Sequence, residues 1–149
     1  MKKEVYLILN NIRSSYNVGA IFRTADAAGV NRIYLGGYTP SADSDKVIKT
    51  ALGAEESVAW EKYFNTWKLV EELRSKGVNI IALEQSKTSR DYRKLKPKFP
   101  LAVIVGNEVR GLSPHILQRC GSVWHLPMRG QKESLNVSVA VGIFLYSIF

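Results

Sequence analysis

Short apolar segments alternate along the chain with longer segments of mixed polarity. The short segments are β-branched or continuously apolar, which is typical of parallel strands that are buried on both faces. On this pattern the sequence predicts six strands, at Val5–Leu9, Arg32–Leu35, Val58–Trp60, Asn79–Leu83, Leu101–Val105 and Val123–Leu126.

The segments between these strands predict helices, because capping residues mark their ends. Three of them stop at a glycine, the residue that most readily takes the left-handed conformation of a helix C-cap. The predicted helices are Asn17–Ala28, Asp45–Leu52, Thr66–Lys76, a helix that starts at Pro114, and Asn136–Phe149. Strands that alternate with helices predict an α/β fold, with a mostly parallel sheet and helices on both faces.

The last predicted helix is apolar on nearly every side. Its sequence from residue 137 onward is VSVAVGIFLYSIF, and a helix of this kind must be buried over most of its surface. Burial against a second copy of the chain and burial in the chain's own core both satisfy this requirement.

Length and composition describe an ordinary globular protein. The 149 residues are 46% hydrophobic and 23% charged, and they fit a single domain over residues 1–149. One cysteine, Cys120, excludes an internal disulfide framework and a multi-cysteine zinc site. No apolar run reaches the ~20 residues that a membrane span needs, and the opening apolar run is too short for a signal peptide. We therefore expect a soluble, cytoplasmic protein with no metal site and no membrane contact.

The charge balance favours a polyanionic partner. Lysine and arginine total 21 against 13 acidic residues, which gives a net charge of +8. Nucleic acid is a better match than a membrane surface, because no basic amphipathic helix stands out. The segment from Ser86 to Lys98 holds six cations and one acid, Asp91. A simpler interpretation of this cluster is a solvated basic surface.

Three segments combine a strand end, a polar loop and the start of a helix: Asn10–Gly29, Val105–Pro114 and Leu126–Val141. Ligands in α/β sheets bind at the carboxyl ends of strands, so the second and third segments are candidate walls of one site. Met128 and Leu135 would give that site an adenine-sized slot without a phosphate cradle. In a simpler interpretation, the polar residues only cap helices, and Arg23 only pairs with Asp26.

Other kinds of site are not indicated. The sequence has no G-x-G-x-x-G after a strand and no G-x-x-x-x-G-K-[ST], so the common dinucleotide and nucleoside triphosphate loops are not signalled. The two histidines, His115 and His125, are isolated in the sequence. No arrangement of nucleophile, histidine and carboxylate can be recognised.

Motifs in the three segments resemble those of a known family. They read N-x-G-x-x-x-R-T-A from Asn17, G-N-E-x-x-G-L-S from Gly106 and P-M-x-G-x-x-x-S-L-N-V-S-x-A from Pro127. In this order they are similar to those of the SpoU (TrmH-type) RNA ribose 2′-O-methyltransferases of the SPOUT superfamily. The resemblance implies a SPOUT α/β fold with a C-terminal trefoil knot, S-adenosylmethionine as cofactor, and RNA (tRNA or rRNA) as substrate. It also implies a homodimer, for which the first and last helices are the expected interface.

Candidate site residues follow from the positions that match the family's motifs. The resemblance implies catalytic roles for Asn17, Arg23, Glu108, Ser134 and Asn136. It implies cofactor contacts for Leu83, Gly106, Gly111, Leu126, Met128, Ser134 and Leu135. Together with the charge pattern, it gives as candidate RNA-binding residues Arg13, Arg23, Arg90, Arg93, Lys94 and Arg110. Members of the family often carry an added RNA-binding domain, which we do not expect in residues 1–149.

The implied reaction moves a methyl group from the cofactor's sulfonium to a ribose 2′-hydroxyl, and two roles for Arg23 are open. The resemblance makes Arg23 the base that removes the hydroxyl proton. A guanidinium hardly deprotonates in proteins, so Arg23 can instead hold a phosphate and stabilise negative charge on the oxygen. Two other functions are also open: a non-catalytic RNA-binding or assembly factor, and methylation of a base nitrogen.

Overall fold

Residues 3–149, which the computed structural model describes, form a seven-stranded sheet and six α-helices. The strands are β1 (Val5–Asn10), β2 (Arg32–Gly36), β3 (Ala59–Tyr63), β4 (Asn79–Leu83), β5 (Arg90–Asp91), β6 (Leu101–Val105) and β7 (Ser122–His125). The helices are α1 (Ser15–Ala28), α2 (Asp45–Ala51), α3 (Ala54–Ser57), α4 (Thr66–Ser75), α5 (Pro114–Leu117) and α6 (Val137–Ile148).

All paired strands of the sheet are parallel, and their order is β3-β2-β1-β6-β4-β7-β5. The neighbouring strands β1 and β6 are buried along nearly their whole length. Because the strands run in the same direction, their carboxyl ends meet at one edge, where Leu9 of β1 pairs with Val105 of β6. The polar loops of the three motif segments start from this edge.

Helices cover both faces of the sheet, as the alternation of strands and helices predicts. Successive side chains of a strand point to opposite faces, and accordingly Leu7 and Ile8 of β1 belong to different buried clusters. Leu7 shares its cluster with side chains of α1, α2 and α6, whereas Ile8 shares its cluster with side chains of α4 and α5. A ligand can therefore reach the sheet at the ends of its strands rather than on its faces.

Helix α1 starts two residues earlier than the sequence pattern predicts. Its N-cap is Ser14, whose hydroxyl accepts a hydrogen bond from the backbone N–H of Asn17 at 3.1 Å. The interpretation of Asn17 as the cap of this helix is therefore wrong. The amide side chain of Asn17 is left available for contacts with other elements.

Two short elements, α3 and β5, are absent from the sequence prediction. Strand β5 lies in the cationic segment between Ser86 and Lys98, where the continuous apolar pattern of a buried strand is missing. The strand predicted at Val58–Trp60 is also shifted, and the structure has it at Ala59–Tyr63. It is an edge strand with largely exposed side chains, so the apolar pattern of the sequence indicates only its first part.

Helix α6 is buried on one side and exposed on the other. The side chains that enter the core of the chain are those of Val141, Phe144, Leu145 and Ile148. On the other side, Val139, Ile143 and Tyr146 form an apolar stripe in which 48%, 40% and 62% of each residue's surface is exposed. The chain's own core thus explains only one side of this apolar helix.

Helix α1 packs closely against α2 at Gly19, and we predict that Gly19→Ala destabilises the fold. A Cβ at residue 19 would collide with the hydroxyl of Thr50 and the carbonyl oxygen of Val47. Overpacking of this kind costs about 1–3 kcal/mol of unfolding free energy, which urea denaturation measures. Gly130→Ala is the matched control, because a Cβ there meets no atom within 4 Å. Equal unfolding free energies for the two variants would contradict the close approach of α1 to α2.

Candidate functional site

A cavity of about 380 Å³ lies at the carboxyl edge of the sheet. The loops that follow β4, β6 and β7 form its walls, together with the start of α6. Its apolar side chains are those of Leu83, Val105, Leu126, Met128, Leu135, Val137 and Ala140. This volume, with apolar walls and a few polar groups between them, is typical of a site for a small organic ligand.

Most of the residues predicted to contact a cofactor line this cavity, namely Leu83, Gly106, Leu126, Met128, Ser134 and Leu135. Gly111 is not part of the lining. It has a left-handed φ of 67°, and a side chain at this position would collide with the carboxylate of Glu84. Gly111 also packs closely against Gly106, because a Cβ added to Gly106 would lie 2.7 Å from the carbonyl carbon of Gly111. Its role in this structure is to shape the loop that carries Gly106.

One carboxylate connects the walls of the cavity. Glu108, in the loop after β6, accepts hydrogen bonds from the backbone N–H groups of Arg13 at 3.0 Å and Ser14 at 3.1 Å. It also accepts a hydrogen bond from Nδ2 of Asn17 at 3.1 Å. Oδ1 of Asn17 in turn accepts a hydrogen bond from Nδ2 of Asn136 at 3.2 Å. These contacts, which we call the Glu108–Asn17–Asn136 chain, join one residue from each of the three motifs.

The negative charge of Glu108 is stabilised by its surroundings. Burial raises the pKa of this carboxyl, but hydrogen bonds outweigh burial and leave the pKa of Glu108 below its usual value. They are donated by the backbone N–H groups of Arg13, Glu108 itself and Ser14, and by the side chain of Asn17. The carboxylate also lies at the N-terminus of α1, where the helix dipole favours a negative charge. Glu108 is therefore ionised at neutral pH, and its hydrogen bonds with Arg13, Ser14 and Asn17 make it an anchor for the start of α1.

The third motif is held in place by the start of α6. Asn136 is the N-cap of this helix, and its Oδ1 accepts hydrogen bonds from the N–H groups of Ser138 at 2.8 Å and Val139 at 3.4 Å. The simpler interpretation of Asn136 as a cap is correct, but its Nδ2 is also used, in the contact with Asn17. Ser134 lies two residues before the cap, exposed at the rim of the cavity.

The cavity is electronegative although the chain as a whole is basic. Two acidic residues, Glu84 and Glu108, belong to its lining, which contains no lysine or arginine of residues 3–149. Burial raises the pKa of Glu84, while hydrogen bonds from the backbone N–H groups of Leu112 and Gln85 act in the opposite direction. Walls of this charge disfavour a phosphate and favour a ligand that carries a positive group.

Arg23 lies on α1 but outside the cavity. Asn17 and Thr24 face α6, and Arg23 is turned by about 120° from Asn17 around the helix axis. Its side chain is exposed, on the same side of the helix as the exposed Tyr16. The interpretation of Arg23 as the partner of Asp26 is wrong, because no ion pair joins these two described residues.

Two of the candidate RNA-binding residues near β5 are already engaged within the chain. The guanidinium of Arg90 stacks on the ring of Trp124, 4.4 Å from its centroid. Arg93 forms an ion pair with Asp91, and this pair holds the pKa of Asp91 well below its usual range. Lys94 is exposed. Of these three cations, all within the described residues 3–149, Lys94 is the one that forms no ion pair or aromatic stack.

The other two arginines in the RNA-binding prediction lie close to the cavity. Arg13 and Arg110 line a surface concavity that also contains Asn17 and Glu108. The Glu108–Asn17–Asn136 chain therefore lies between the electronegative cavity and a surface that carries cations.

Sequence reasoning missed four polar residues of the cavity lining: Glu84, Gln85, Asn107 and His125. Each lies at or just after the carboxyl end of a strand. Nε2 of Gln85 donates a hydrogen bond to the carbonyl oxygen of Leu126 at 2.8 Å, and Nδ1 of His125 lies 2.8 Å from Oγ of Ser89. The signal for Glu84 and Gln85 in the sequence is their position directly after β4, because ligands bind at the carboxyl ends of strands.

Among residues 3–149, no helix combines the length and the apolar character required to cross a membrane. The same residues contain no group of three or more His, Cys, Asp or Glu side chains placed to hold a metal ion.

Comparison with known proteins identifies the family. The model of the SpoU rRNA Methylase family matches residues 4–146. The chain belongs to the SpoU rRNA methylase family. YacO of Bacillus subtilis (strain 168), which is assigned to the TrmH family of tRNA/rRNA methyltransferases, is 31% identical over 144 residues. The match covers 97% of this chain and 57% of YacO, so the chain spans little more than half the length of this relative.

Solved structures of SpoU-related proteins share the fold. The AdoMet-bound rRNA methyltransferase from Sinorhizobium meliloti matches with a TM-score of 0.92 and 31% identity, over 99% of this chain and 56% of that one. A structure described as an RNA 2′-O ribose methyltransferase matches with a TM-score of 0.88 and 26% identity, over 99% of this chain and 56% of that one. These matches confirm the predicted α/β fold of the SPOUT methyltransferases.

We predict that Glu108→Gln lowers stability at neutral pH and that the difference from wild type fades in acid. The folded-state pKa of Glu108 lies below its unfolded value. Its ionised form therefore adds stability above the unfolded pKa, and this stability is lost as the pH falls through the folded pKa. The loss at neutral pH is about 1 kcal/mol, because hydrogen bonds to a charged group are strong but this group is partly screened by solvent.

Urea denaturation of both proteins at neutral and at strongly acidic pH measures this difference. A stability loss of the same size at both pH values would contradict the assignment of Glu108 as an ionised anchor.

Proposed function

We propose that the protein is an S-adenosylmethionine-dependent RNA methyltransferase that acts on a ribose 2′-hydroxyl. The Glu108–Asn17–Asn136 chain carries this proposal, because it brings residues of all three motifs to one cavity. The names of two related structures, an AdoMet-bound rRNA methyltransferase and an RNA 2′-O ribose methyltransferase, support it.

The lining of the cavity fits this cofactor on chemical grounds. The residues that we expect to hold it are Leu83, Gly106, Leu126, Met128, Ser134 and Leu135. Their apolar side chains suit an adenine ring, while Glu84 and Glu108 suit a positive charge and would repel phosphate. When bound, S-adenosylmethionine supplies a methyl group that is activated by its attachment to a sulfonium.

Within this proposal Arg23 acts on the RNA rather than on the cofactor. Its exposed side chain lies outside the cavity, where it can reach a backbone phosphate. A guanidinium stays protonated at neutral pH, so Arg23 holds the phosphate beside the target ribose and stabilises the negative charge that develops on the 2′ oxygen. Glu108 and Asn17 position the start of α1, the helix that carries Arg23.

We further propose a homodimer in which Arg23 of one chain serves the cavity of the other. The apolar stripe of α6 stays exposed over 40–62% of each residue's surface within the described part of the chain. On the neighbouring α1, the side chain of Tyr16 is also exposed, over 67% of its surface. Apolar surface on two adjacent helices is typical of a subunit interface. An interface of α1 and α6 would bury this surface and bring Arg23 to the dimer boundary.

The substrate that we propose is tRNA or rRNA, which implies a location in the cytoplasm. A net charge of +8 supports a polyanionic substrate. Besides Arg23, the cations that we expect to contact its phosphates are Arg13, Lys94 and Arg110.

We predict that the purified protein transfers a labelled methyl group from S-adenosylmethionine to a ribose 2′-hydroxyl of bulk tRNA or rRNA. Mass spectrometry of the digested RNA locates the label, because a 2′-O-methyl group stays with the ribose when the nucleoside fragments. Met128→Arg, which places a long cationic side chain in the cavity, is the inactive control. A label on the base would overturn the ribose assignment, and RNA binding without transfer would indicate a non-catalytic RNA-binding protein.

We predict that Arg23→Ala lowers turnover about 10²–10³-fold, the usual effect of removing one electrostatic donor to a transition state. The affinity for S-adenosylmethionine stays within a few-fold of wild type, because Arg23 does not line the cavity. Single-turnover assays measure the first quantity, and titration calorimetry measures the second. Loss of cofactor binding in Arg23→Ala would refute this division of roles.

Mixing the Arg23→Ala and Met128→Arg proteins tests whether Arg23 acts across the dimer. A mixed dimer has one intact cavity on the first chain and one intact arginine on the second. We expect turnover to recover when the two inactive proteins are mixed and allowed to exchange subunits. If turnover does not recover although mixed dimers form, Arg23 acts on the cavity of its own chain.

A further inference from the structure

A second concavity, of about 540 Å³, lies at the carboxyl ends of β1, β2 and β3. Four asparagines and several aromatic side chains contribute to its walls. We call it the aromatic groove and define it by Tyr38, Phe64, Asn65, Trp67, Arg110 and His115. Apart from Arg110, the proposed methyl transfer gives no role to these residues.

Tyr38 presents an aromatic face that is exposed but held in place. Its exposed fraction is 58%, yet its hydroxyl accepts a hydrogen bond from Nδ2 of Asn107 at 2.7 Å. Its backbone N–H donates to Oδ1 of Asn11 at 3.0 Å. Asn107 is itself fixed, because its Oδ1 accepts hydrogen bonds from the N–H groups of Val109 and Arg110. A ring restrained in this way loses little conformational freedom when a ligand stacks on it.

Phe64 is the second exposed aromatic of the groove. It follows β3 directly, and 84% of its surface is exposed. Nζ of Lys62 lies 6.0 Å from the centroid of its ring, and the same ammonium donates a hydrogen bond to the carbonyl oxygen of Gly37 at 2.7 Å. Together with Tyr38 it gives one concavity two exposed aromatic rings, whose faces suit a ligand with flat apolar faces.

The aromatic groove is continuous with the proposed methyl-transfer site. Tyr38, Asn107 and Arg110 line both the groove and the concavity that adjoins the cavity. That concavity shares Asn17, Asn107 and Glu108 with the cavity itself. A polymer whose reacting group lay in front of the cavity would therefore extend past Tyr38 into the groove.

The charge of the groove suits the backbone of a nucleic acid. Arg110 lines it, and no aspartate or glutamate of residues 3–149 does. Two of the asparagines at its walls, Asn11 and Asn107, hold Tyr38 in place, so the groove offers a ligand its aromatic faces and a cation. Charge, flat apolar faces and continuity with the cavity all favour the same ligand.

We propose that the aromatic groove binds an unpaired nucleotide of the RNA, next to the nucleotide that is methylated, with its base stacked on Tyr38 and Phe64. Exposed aromatic side chains beside cations are the usual means by which proteins hold single-stranded RNA. The proposal rests on the proposed function in taking RNA as the substrate. It adds that the nucleotide beside the target is single-stranded and is bound by stacking.

Two short fluorescent oligoribonucleotides of equal length, an oligoadenylate and its abasic counterpart, test this proposal without cofactor. They carry the same phosphate charge, but only the oligoadenylate has bases to stack. Fluorescence anisotropy should show tighter binding of the oligoadenylate to the wild-type protein. Tyr38→Ala and Tyr38→Leu should weaken this binding about fivefold to a hundredfold, the usual effect of removing one stacking partner. Binding of the abasic RNA should not change.

Two further variants control for other effects. Tyr38→Phe keeps the ring and loses only the hydrogen bond with Asn107, so it should bind the oligoadenylate nearly as tightly as wild type. Leu52→Ala removes a side chain of similar exposure, 64%, outside the groove, and should also bind like wild type. Thermal denaturation followed by circular dichroism verifies that each variant is folded.

The outcomes separate this proposal from the methyltransferase assignment. Wild-type affinity for the oligoadenylate in folded Tyr38→Ala, or equal affinity of the wild-type protein for the two RNAs, would overturn stacking in the groove whatever the protein methylates. The expected loss of affinity in a protein that transfers no methyl group would support the groove and count against the proposed function.

Discussion

The carboxylate of Glu108 makes the contacts on which the rest of the site depends. It lies where β6 ends and α1 begins, and it pairs with backbone N–H groups that precede the helix and have no partner inside it. Through Asn17 it is connected to Asn136, the N-cap of α6. Three elements that are distant in sequence are thereby fixed relative to one another. The cavity is the space that they enclose with the ends of β4 and β7.

Charge is distributed so that two oppositely charged ligands can be bound side by side. The lining of the cavity includes the acidic residues Glu84 and Glu108, whereas Arg13 and Arg110 lie on the surface beside it. A cationic cofactor and a polyanionic RNA would each meet the complementary sign. Arg23, on the exposed side of α1, belongs with the surface group, which is why a role toward the RNA suits it better than a role toward the cofactor.

The buried parts of the fold could be predicted from the sequence, because a covered parallel sheet requires continuous apolar segments. Strand Leu101–Val105 matches its prediction residue for residue. The start of α1 could not be predicted from the sequence, because both Ser14 and Asn17 are good caps. The choice between them involves Glu108, which lies 91 positions from Asn17. The motifs predicted most of the cavity but not Glu84, whose contacts depend on strand order. The trefoil knot stays a prediction, because strand order alone does not specify which loop the chain passes through.

Titration calorimetry of the wild-type protein, with S-adenosylmethionine and separately with ATP, tests the assignment of the cavity most directly. The two ligands share adenosine but differ in the sign of the charge attached to it. We expect S-adenosylmethionine to bind to one site per chain and ATP not to bind, because its phosphates would face Glu84 and Glu108. Binding of ATP with equal affinity, or no binding of S-adenosylmethionine, would contradict an electronegative cofactor cavity at this edge of the sheet.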